Sequence, residues 1–439
     1  MSKTTSVTLD TIVALCKRRG FIFPGAEIYG GLNGIYDFGP LGVLLKNKIK
    51  QAWTKAMSSG KEEVVFMDGS ILGHEEVWKA SGHVDNFSDP MVDCLNCKKR
   101  FRSDEGDFNI EKGCPSCGIK NWTEVRRFKL MFETQLGAVS GSSSIAYLRP
   151  ETAQSIFINF KNVISSTRVK IPFGIAQIGK AFRNEITPKQ FLFRVREFEQ
   201  MEVEFFCKPD QSDDFFIKWI ATRLEFYKSI GVDMDKIRIR PHAQDELAHY
   251  SKMCSDVEYE FPFGWKELEG IAHRSDYDLR QHAQFSGKNL LAIDPQTNEQ
   301  YLPHVVECSV GVDRLLLTLL FDAYREDEID GEKRVYLALA PHMAPVSVAV
   351  MPLTKHQDEP AMRIYHHLKQ IFDTVQFDDG GSIGKRYRRQ DEIGTPFCVT
   401  YDYDSENDHC VTVRNRDTLV QERIDIKNLS TYLREKMAQ

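Results

Sequence analysis

Apolar residues fall at 41, 44, 45, 49, 52, 53, 56 and 57, a helical spacing that predicts one buried stripe over Leu41–Met57. Gly39-Pro40 just ahead supplies a turn and ends the preceding extended segment. Farther on, the period shortens to two. The segments 171–185 and 195–206 read as paired strands joined by the turn-rich, basic Thr187-Pro188-Lys189-Gln190. On the first, Gln177, Gly179, Ala181, Arg183 and Glu185 share one face, with Ala176, Ile178, Lys180 and Phe182 on the other. On the second, Phe198, Gln200, Glu202, Glu204 and Phe206 lie opposite Glu199, Met201, Val203 and Phe205. A third segment, PHVVECSVGVDRLLLTLLFDAYRE, puts Val305, Glu307 and Ser309 on one strand face. It turns at Gly311 and opens an apolar helix with Asp313-Arg314.

Past Arg334 the pattern changes. PVSVAVMPL reads as a strand, EPAMRIYHHLKQIF as a helix and GSIGKRYRRQDEIG as a glycine-bracketed helix, followed by strands PFCVTYDYD and HCVTVRN and a helix near NLSTYLREKM. Such alternation describes a compact α/β domain. The stretch 91–125 has paired cysteines and few long aliphatics, and reads as a small insertion. The expected division is 1–90, the insertion 91–125, a strand-rich 126–335, and 336–439. A chain of 439 residues is more than one core usually serves, in keeping with several domains.

Composition adds exclusions. Apolar residues at 42% and charged residues at 27% rule out a largely disordered chain. No apolar run approaches the roughly 20 residues needed to span a bilayer. The N-terminal stretch has charges on both sides of a short apolar run, a poor signal peptide, so a soluble cytoplasmic protein with no membrane partner is expected. The net charge of −6 excludes a uniformly basic nucleic-acid coat but leaves room for a local basic groove.

Four of the ten cysteines, Cys94, Cys97, Cys114 and Cys117, form two CxxC knuckles with 16 residues between them. Two such turns complete the tetrahedral sulfur shell of structural zinc (Zn2+), and a filled shell leaves no catalytic position. Charge also segregates along the strand pair. Residues 170–198 hold six Lys or Arg against two acids, and residues 199–214 six acids against one Lys. A ligand with phosphates at one end and an ammonium at the other suits that surface, and a salt-bridged exposed hairpin is the alternative reading. Arg314, in the first turn of its helix with the guanidinium near the strand end, can pair bidentately with phosphate oxygens, and an Arg that only tops an N-terminal turn is the alternative reading.

FRNE followed by RVREF resembles motif 2 of the class II aminoacyl-tRNA synthetases, VVECSVGVDR motif 3, and IYDFGPLGVLLKNKIKQAW motif 1. Within that class the chain resembles the homodimeric glycyl type, on EIYGGLNGIYDFGPLG, DCLNCKKRFRSD, LRPETAQSIF, GWKELEGIAHRSDYDL and GSIGKRYRRQDEIGTPFCVT. The resemblance runs in order along almost the whole chain. It implies an α+β fold: an antiparallel class II sheet flanked by helices, a zinc-ribbon-like insertion and a C-terminal α/β anticodon-binding domain. It implies ligation of glycine to tRNA(Gly), with ATP as substrate and magnesium (Mg2+) accompanying it, in a homodimer.

Residue by residue, the resemblance makes Arg183 and Arg314 catalytic. It gives ATP to Arg183, Asn184, Glu185, Phe193, Arg194, Val195, Arg196, Glu197, Phe198, Glu267, Leu268, Gly311, Val312, Asp313 and Arg314, with Phe198 stacked on adenine. It gives glycine to the acids Glu151, Glu202 and Glu307 with Ser309. Around them it adds Arg102, Phe198, Glu199, Gln200, Met201, Cys308, Val310 and Gly311. Many relatives carry Pro and Ala where this chain has Cys308 and Val310, and a small residue where it has Gln190 or Phe191. Those changes bear on loop geometry and on contact with the tRNA acceptor end. In the last domain, Lys385, Arg386, Arg388 and Arg389 form a basic cluster suited to RNA phosphates, unless RRQDE satisfies its own charges. An accessory factor that kept the fold would typically have lost one of the two arginines, and this chain keeps both. Synthetases for proline, threonine or histidine share the last domain, but RPETAQ and the three acids favour glycine.

Overall fold

The period-two segments form the centre of the largest sheet in the computed structural model, which describes residues 7–104, 108–137, 145–186, 188, 190–329 and 331–438. Thr187 and Lys189 of the expected turn lie outside those residues. Seven strands, β1 (Val64–Phe66), β2 (Phe173–Phe182), β3 (Glu197–Cys207), β4 (Ile237–Pro241), β5 (Met253–Phe261), β6 (Gly264–Ser275) and β7 (His304–Gly311), lie in the order β4-β5-β6-β7-β3-β2-β1. Neighbours are antiparallel except β1 and β2. The register sets Gln177 against Glu202, Gly179 against Gln200 and Ala181 against Phe198, so the two faces read from the sequence meet. On the other side β3 sets Glu202 against Ser309 and Glu204 against Glu307.

Alternation then divides the sheet into a dry side and a functional side. Met201, Val203 and Phe205 join Cys308, Val310 and Ile271 in the main core, beneath the helices Pro40–Ser58, Ser212–Ser229 and Val312–Ala323. In the first of these, Leu41, Leu45, Ile49, Trp53 and Met57 are buried one turn apart, as the spacing predicts, with Pro40 at its first position. Each such side chain removed from water contributes about 1.5–3 kcal/mol. On the opposite side Phe173 and Phe206 pack with Phe157 and Phe160 of the helix Ala153–Thr167. The part of this side that carries Phe198, Gln200 and Glu202 lines a cavity instead.

The last part of the chain forms a five-stranded sheet ordered Val375–Phe377, Val348–Pro352, Phe397–Tyr401, Cys410–Asn415, Gln421–Asp425. The two edge strands are additions to the sequence expectation: they are short and half-buried or exposed, without the apolar run that announces a central strand. Arg334, on the hairpin leading into this sheet, is buried. It donates to Asp327, to the Arg416 carbonyl at 2.8 Å and to Asp391 at 3.3 Å, and Asp391 also takes both arms of Arg414 at 2.8 and 2.9 Å. The cysteine segment forms its own three-stranded sheet, Arg100–Arg102, Ser88–Asp93 and Arg126–Lys129, over a small cluster of Phe101, Phe108 and Trp122. Among the described residues, no helix is long and apolar enough to cross a membrane.

Candidate active site

A cavity of about 380 Å³ opens over β3, β6 and β7, and its two ends differ in charge. At one end three acids converge. Glu202 accepts from Ser309 Oγ at 2.6 Å and Gln200 Nε2 at 3.0 Å on one oxygen, and from the Thr152 amide at 2.9 Å and the Thr152 hydroxyl on the other. Glu307 takes Arg274 Nη1 at 2.6 Å, while the same guanidinium grips Asp278 at 2.7 and 2.9 Å and lies 3.9 Å from the Tyr250 ring centre. Glu151 pairs with His83 Nε2 at 3.2 Å and accepts from Gln154 Nε2 at 3.0 Å.

Their titration follows from these surroundings. Burial raises Glu151, but the charge and hydrogen bond of His83, with Arg274 beyond, hold it below the ordinary carboxylate range. Burial and then the charge of Glu151 raise Glu202 despite its hydrogen bonds to Ser309 and Thr152. Burial, opposed by Arg274 but reinforced by Glu202 and Glu151, pushes Glu307 up to about 7. Such a cluster suits one ammonium ion, which each acid can meet through a charge-assisted hydrogen bond.

The other end is cationic and aromatic. Arg183, just past β2, donates Nε to the Pro150 carbonyl at 3.0 Å and lies 5.4 Å from the Phe198 ring and 5.5 Å from the Phe87 ring. Arg314, in the first turn of Val312–Ala323, donates to the Glu267 carbonyl at 2.9 Å and pairs with its carboxylate at 3.1 Å. It also lies 4.5 Å from the Phe193 ring. Arg314 holds Glu267 below its ordinary range against burial, with Arg183 adding to the effect. Two forked cations among flat rings can receive an aromatic base joined to phosphates.

Behind the cavity an ion cluster ties three segments together. Lys46 of Pro40–Ser58 lies 2.8 Å from Glu199 and 3.4 Å from Asp313, and the Glu199 amide donates to Asp313 at 2.7 Å.

The residues named from the sequence divide in two. Arg183, Glu185, Phe193, Arg194, Val195, Phe198, Glu267, Leu268, Gly311, Asp313 and Arg314 line the cavity, as do Glu151, Gln200, Glu202, Glu307 and Ser309. The rest lie elsewhere. Strand alternation sends Met201, Cys308 and Val310 into the core, where Val312 is also buried. Glu197 meets Lys180 at 2.7 Å and Glu199 meets Lys46, both on the back of the sheet. Arg196 turns to the carbonyls of Glu185 and Asn33, at 2.9 and 2.6 Å. The Asn184 amide donates to the Leu130 carbonyl at 2.7 Å, and Arg102 stays in the cysteine segment, 3.2 Å from Asp89 and 2.9 Å from Asp104.

Sequence reasoning gives no role to Arg274 or Asp278, although both sit in GWKELEGIAHRSDYDL at the i, i+4 spacing of an ion pair. Nothing in the sequence marks His83 or Tyr250. The basic cluster of the last domain is also largely used up. Arg386 is buried on the carbonyls of Gly381 and Pro352, Arg388 holds Glu332 at 2.8 Å, and Arg389 holds Asp378 at 2.6 Å.

In the cysteine segment, Cys94 and Cys117 sulfurs stand 3.6 Å apart and those of Cys97 and Cys114 3.7 Å, with all four ligand atoms within 4.8 Å of one another. A tetrahedron with Zn–S bonds of about 2.3 Å needs sulfurs about 3.8 Å apart, so the donor set fits zinc. His242, Cys254 and Asp256 also cluster, on the cavity wall, but Arg240 already lies 2.9 Å from Asp256 and 3.3 Å from His242.

Residues 141–323 match a family model described as the tRNA synthetase class II core domain (G, H, P, S and T), and residues 347–436 match one described as an anticodon binding domain. A protein named glycine–tRNA ligase from Caldanaerobacter subterraneus subsp. tengcongensis is 54% identical across 98% of this chain and 99% of its own length. Proteins of the same name from Alkaliphilus oremlandii and Geobacillus kaustophilus are each 50% identical across 99% of this chain and 99% and 100% of their own lengths. A class II core and an anticodon domain in one chain, with similarity of this degree from end to end, mean that the chain belongs to the glycine–tRNA ligase family of class II aminoacyl-tRNA synthetases.

Proposed function

We propose that this protein ligates glycine to tRNA(Gly) in two steps, with the acid cluster holding the glycine ammonium and the arginine end holding ATP. The observation that carries the assignment of ends is the meeting of Glu151, Glu202 and Glu307 at one side of a cavity whose other side presents Arg183 and Arg314. ATP enters as its magnesium complex. Phe198 stacks on the adenine, and Arg183 steadies the α-phosphate. Arg314, with Gly311 and Asp313 beside it, receives the outer phosphates.

The glycine carboxylate is already ionised, so no side-chain base is required. It attacks the α-phosphorus in line and pyrophosphate leaves, the arginines neutralising charge as it develops. In the second step the 3′-hydroxyl of the terminal adenosine attacks the carbonyl of glycyl-adenylate and AMP leaves. Loss of either arginine costs on the order of 10²–10³ in rate if it acts as one oxyanion-type donor. Three carboxyls around one amino group also crowd the Cα, so larger amino acids are rejected by bulk and no separate editing site is required.

Cys94, Cys97, Cys114 and Cys117 hold a structural zinc that fixes the insertion 91–125, between a first catalytic part, 1–90, and a second, 126–335. Residues 336–439 bind the anticodon arm. Two copies associate through the region of Pro40–Ser58, where the exposed Ile28, Tyr29 and Leu32 of the preceding segment offer apolar surface. The enzyme works in the cytoplasm.

ATP–pyrophosphate exchange with each of the twenty amino acids, without tRNA, tests the reading. Exchange with glycine alone is expected. Exchange with another amino acid overturns the acid-cluster assignment, and silence with all twenty in a folded sample overturns the activity.

A further inference from the structure

Glu151, on the cavity wall, is paired with a residue 68 positions earlier in the chain. His83 Nε2 lies 3.2 Å from its carboxylate. The other ring nitrogen, Nδ1, is 2.8 Å from Ser81 Oγ, whose hydroxyl is 3.3 Å from the Trp78 carbonyl. If Ser81 donates to Trp78, its oxygen accepts from Nδ1–H, and the ionised Glu151 facing Nε2 then calls for a proton there as well. If it donates to Nδ1, the ring is neutral with its proton on Nε2. Either arrangement aims an N–H at Glu151.

The ring is also wedged, edge-on to Trp78 with centres 5.4 Å apart and 5.6 Å from Phe87. Gly82, at φ +80°, makes the left-handed turn that presents His83. The same short segment reaches the cationic end, since Phe87 lies under Arg183. Its backbone is tied there too. The Leu130 amide donates to the Phe87 carbonyl at 3.2 Å, and the Asn184 amide donates to the Leu130 carbonyl at 2.7 Å. Immediately after Phe87 begins Ser88–Asp93, the central strand of the cysteine sheet, which pairs with Arg126–Lys129.

We propose that His83 is a positioning residue for glycine recognition, orienting Glu151 through its Nε2–H, and that the cysteine module braces the segment Trp78–Phe87 that carries it. This rests on the assignment of Glu151 to the glycine ammonium. The module then acts on catalysis without touching substrate. Its metal, held by the four cysteines, fixes one end of the central strand, and the other end continues into Phe87 and His83. A purely space-filling role for His83 asks only for a side chain of similar size. An orienting role asks for a donor at the Nε2 position.

The test compares His83→Gln, which keeps an amide donor in that region, with His83→Leu, which does not, in ATP–pyrophosphate exchange with glycine and ATP varied separately. In His83→Leu the KM for glycine rises about tenfold or more, as loss of one charge-assisted hydrogen bond requires, while the KM for ATP stays within about twofold. In His83→Gln the KM for glycine returns to within about threefold of the unsubstituted protein. Equal defects in both variants, or none in either, overturn the positioning role. Glu151→Gln separates the two readings. If it leaves glycine binding untouched, the assignment of Glu151 fails and the proposal with it; if it raises the KM for glycine while His83→Leu does not, only the proposal fails.

The brace is tested on the unsubstituted protein by hydrogen exchange with and without a zinc chelator. Faster exchange in 78–87 as well as in 91–125 is expected. Faster exchange confined to 91–125 overturns the brace.

Discussion

Arg274→Met removes a buried charge while keeping most of the aliphatic stem, and the structure sets the size of the effect. Arg274 is enclosed and makes three short charged hydrogen bonds: two to Asp278 at 2.7 and 2.9 Å, and one to Glu307 at 2.6 Å. Removing one member of a buried ion pair typically costs about 3–5 kcal/mol, because the acids left behind are desolvated and uncompensated. Part of that cost is avoided by protonation. Burial already pushes Glu307 up to about 7, the Arg274 guanidinium is the main influence opposing that rise, and without it the carboxyl moves higher still. A protonated Glu307 no longer offers a full charge to an ammonium.

With burial no longer opposed by the guanidinium, Glu307 is raised above about 7 and stays more in its acid form at pH 8. Weakening one charge-assisted hydrogen bond to the ammonium, worth about 1.5–3 kcal/mol, is expected to raise the KM for glycine about 10–10²-fold at that pH, with the KM for ATP within about threefold. Arg274→Lys recovers only part of the loss, since one ammonium cannot span Asp278 and Glu307 as a planar fork does. Pyrophosphate exchange with each substrate varied in turn measures both constants, and circular dichroism reports folding. A folded Arg274→Met protein whose glycine KM at pH 8 lies within about threefold of the unsubstituted value would refute the reasoning.

Elemental analysis is expected to find one zinc per chain, and Cys114→Ser to lose it together with the protease resistance of the segment 91–125. At Gly179 a Cβ would overlap the buried guanidinium of Arg149, so Gly179→Ala should lower thermal stability by about 1–3 kcal/mol, read from the melting temperature. Asp391→Asn weakens the hydrogen bonds from Arg334 and Arg414, and limited proteolysis between the catalytic sheet and the last domain should accelerate several-fold. Glu204 is enclosed with neither oxygen partnered, and burial, then the charge of Glu307, raises its carboxyl well above the ordinary range. The folded state keeps a proton that the unfolded chain gives up above about pH 4.3, so this residue makes stability fall as pH rises. Glu204→Leu should melt higher than the unsubstituted protein at pH 8, and by less at pH 5.

Periodicity carried the reading of the sheet because its constraint is local. The faces of 171–185 and 195–206 follow from alternation alone, and the observed register joins them as read over 173–182 and 197–206, with Arg183 and Glu185 past the end of the first strand. The same rule argues against treating runs as units. Met201, Cys308 and Val310 stand between cavity residues in sequence yet enter the core, since every second side chain on a strand points away. Arg274 shows the opposite difficulty. Its partners Asp278 and Glu307 lie 4 and 33 residues away, and only the nearer leaves a pattern in the sequence. The arginines near 386 show that charge type is legible while its partner is not. Arg388, in the helix Ile383–Ile393, is bound to Glu332, which lies 56 residues away on the strand Glu332–Leu337.

The cavity's selectivity depends on how firmly its acids are held. Glu202 is fixed by Ser309, Gln200 and Thr152, Glu307 by Arg274, and Glu151 by His83 and Gln154, so no carboxyl can swing aside without breaking bonds to the protein. A methyl group on the substrate Cα must then displace one of these anchored groups or leave its ammonium short of one. Either outcome costs at least one charge-assisted hydrogen bond, about 1.5–3 kcal/mol, in addition to the crowding of the methyl group itself. Carboxylates with no such anchors would bind glycine through the same charges yet give way to alanine. With glycine held as proposed, discrimination resides less in the three acids than in the donors behind them, which fix where each carboxylate can be.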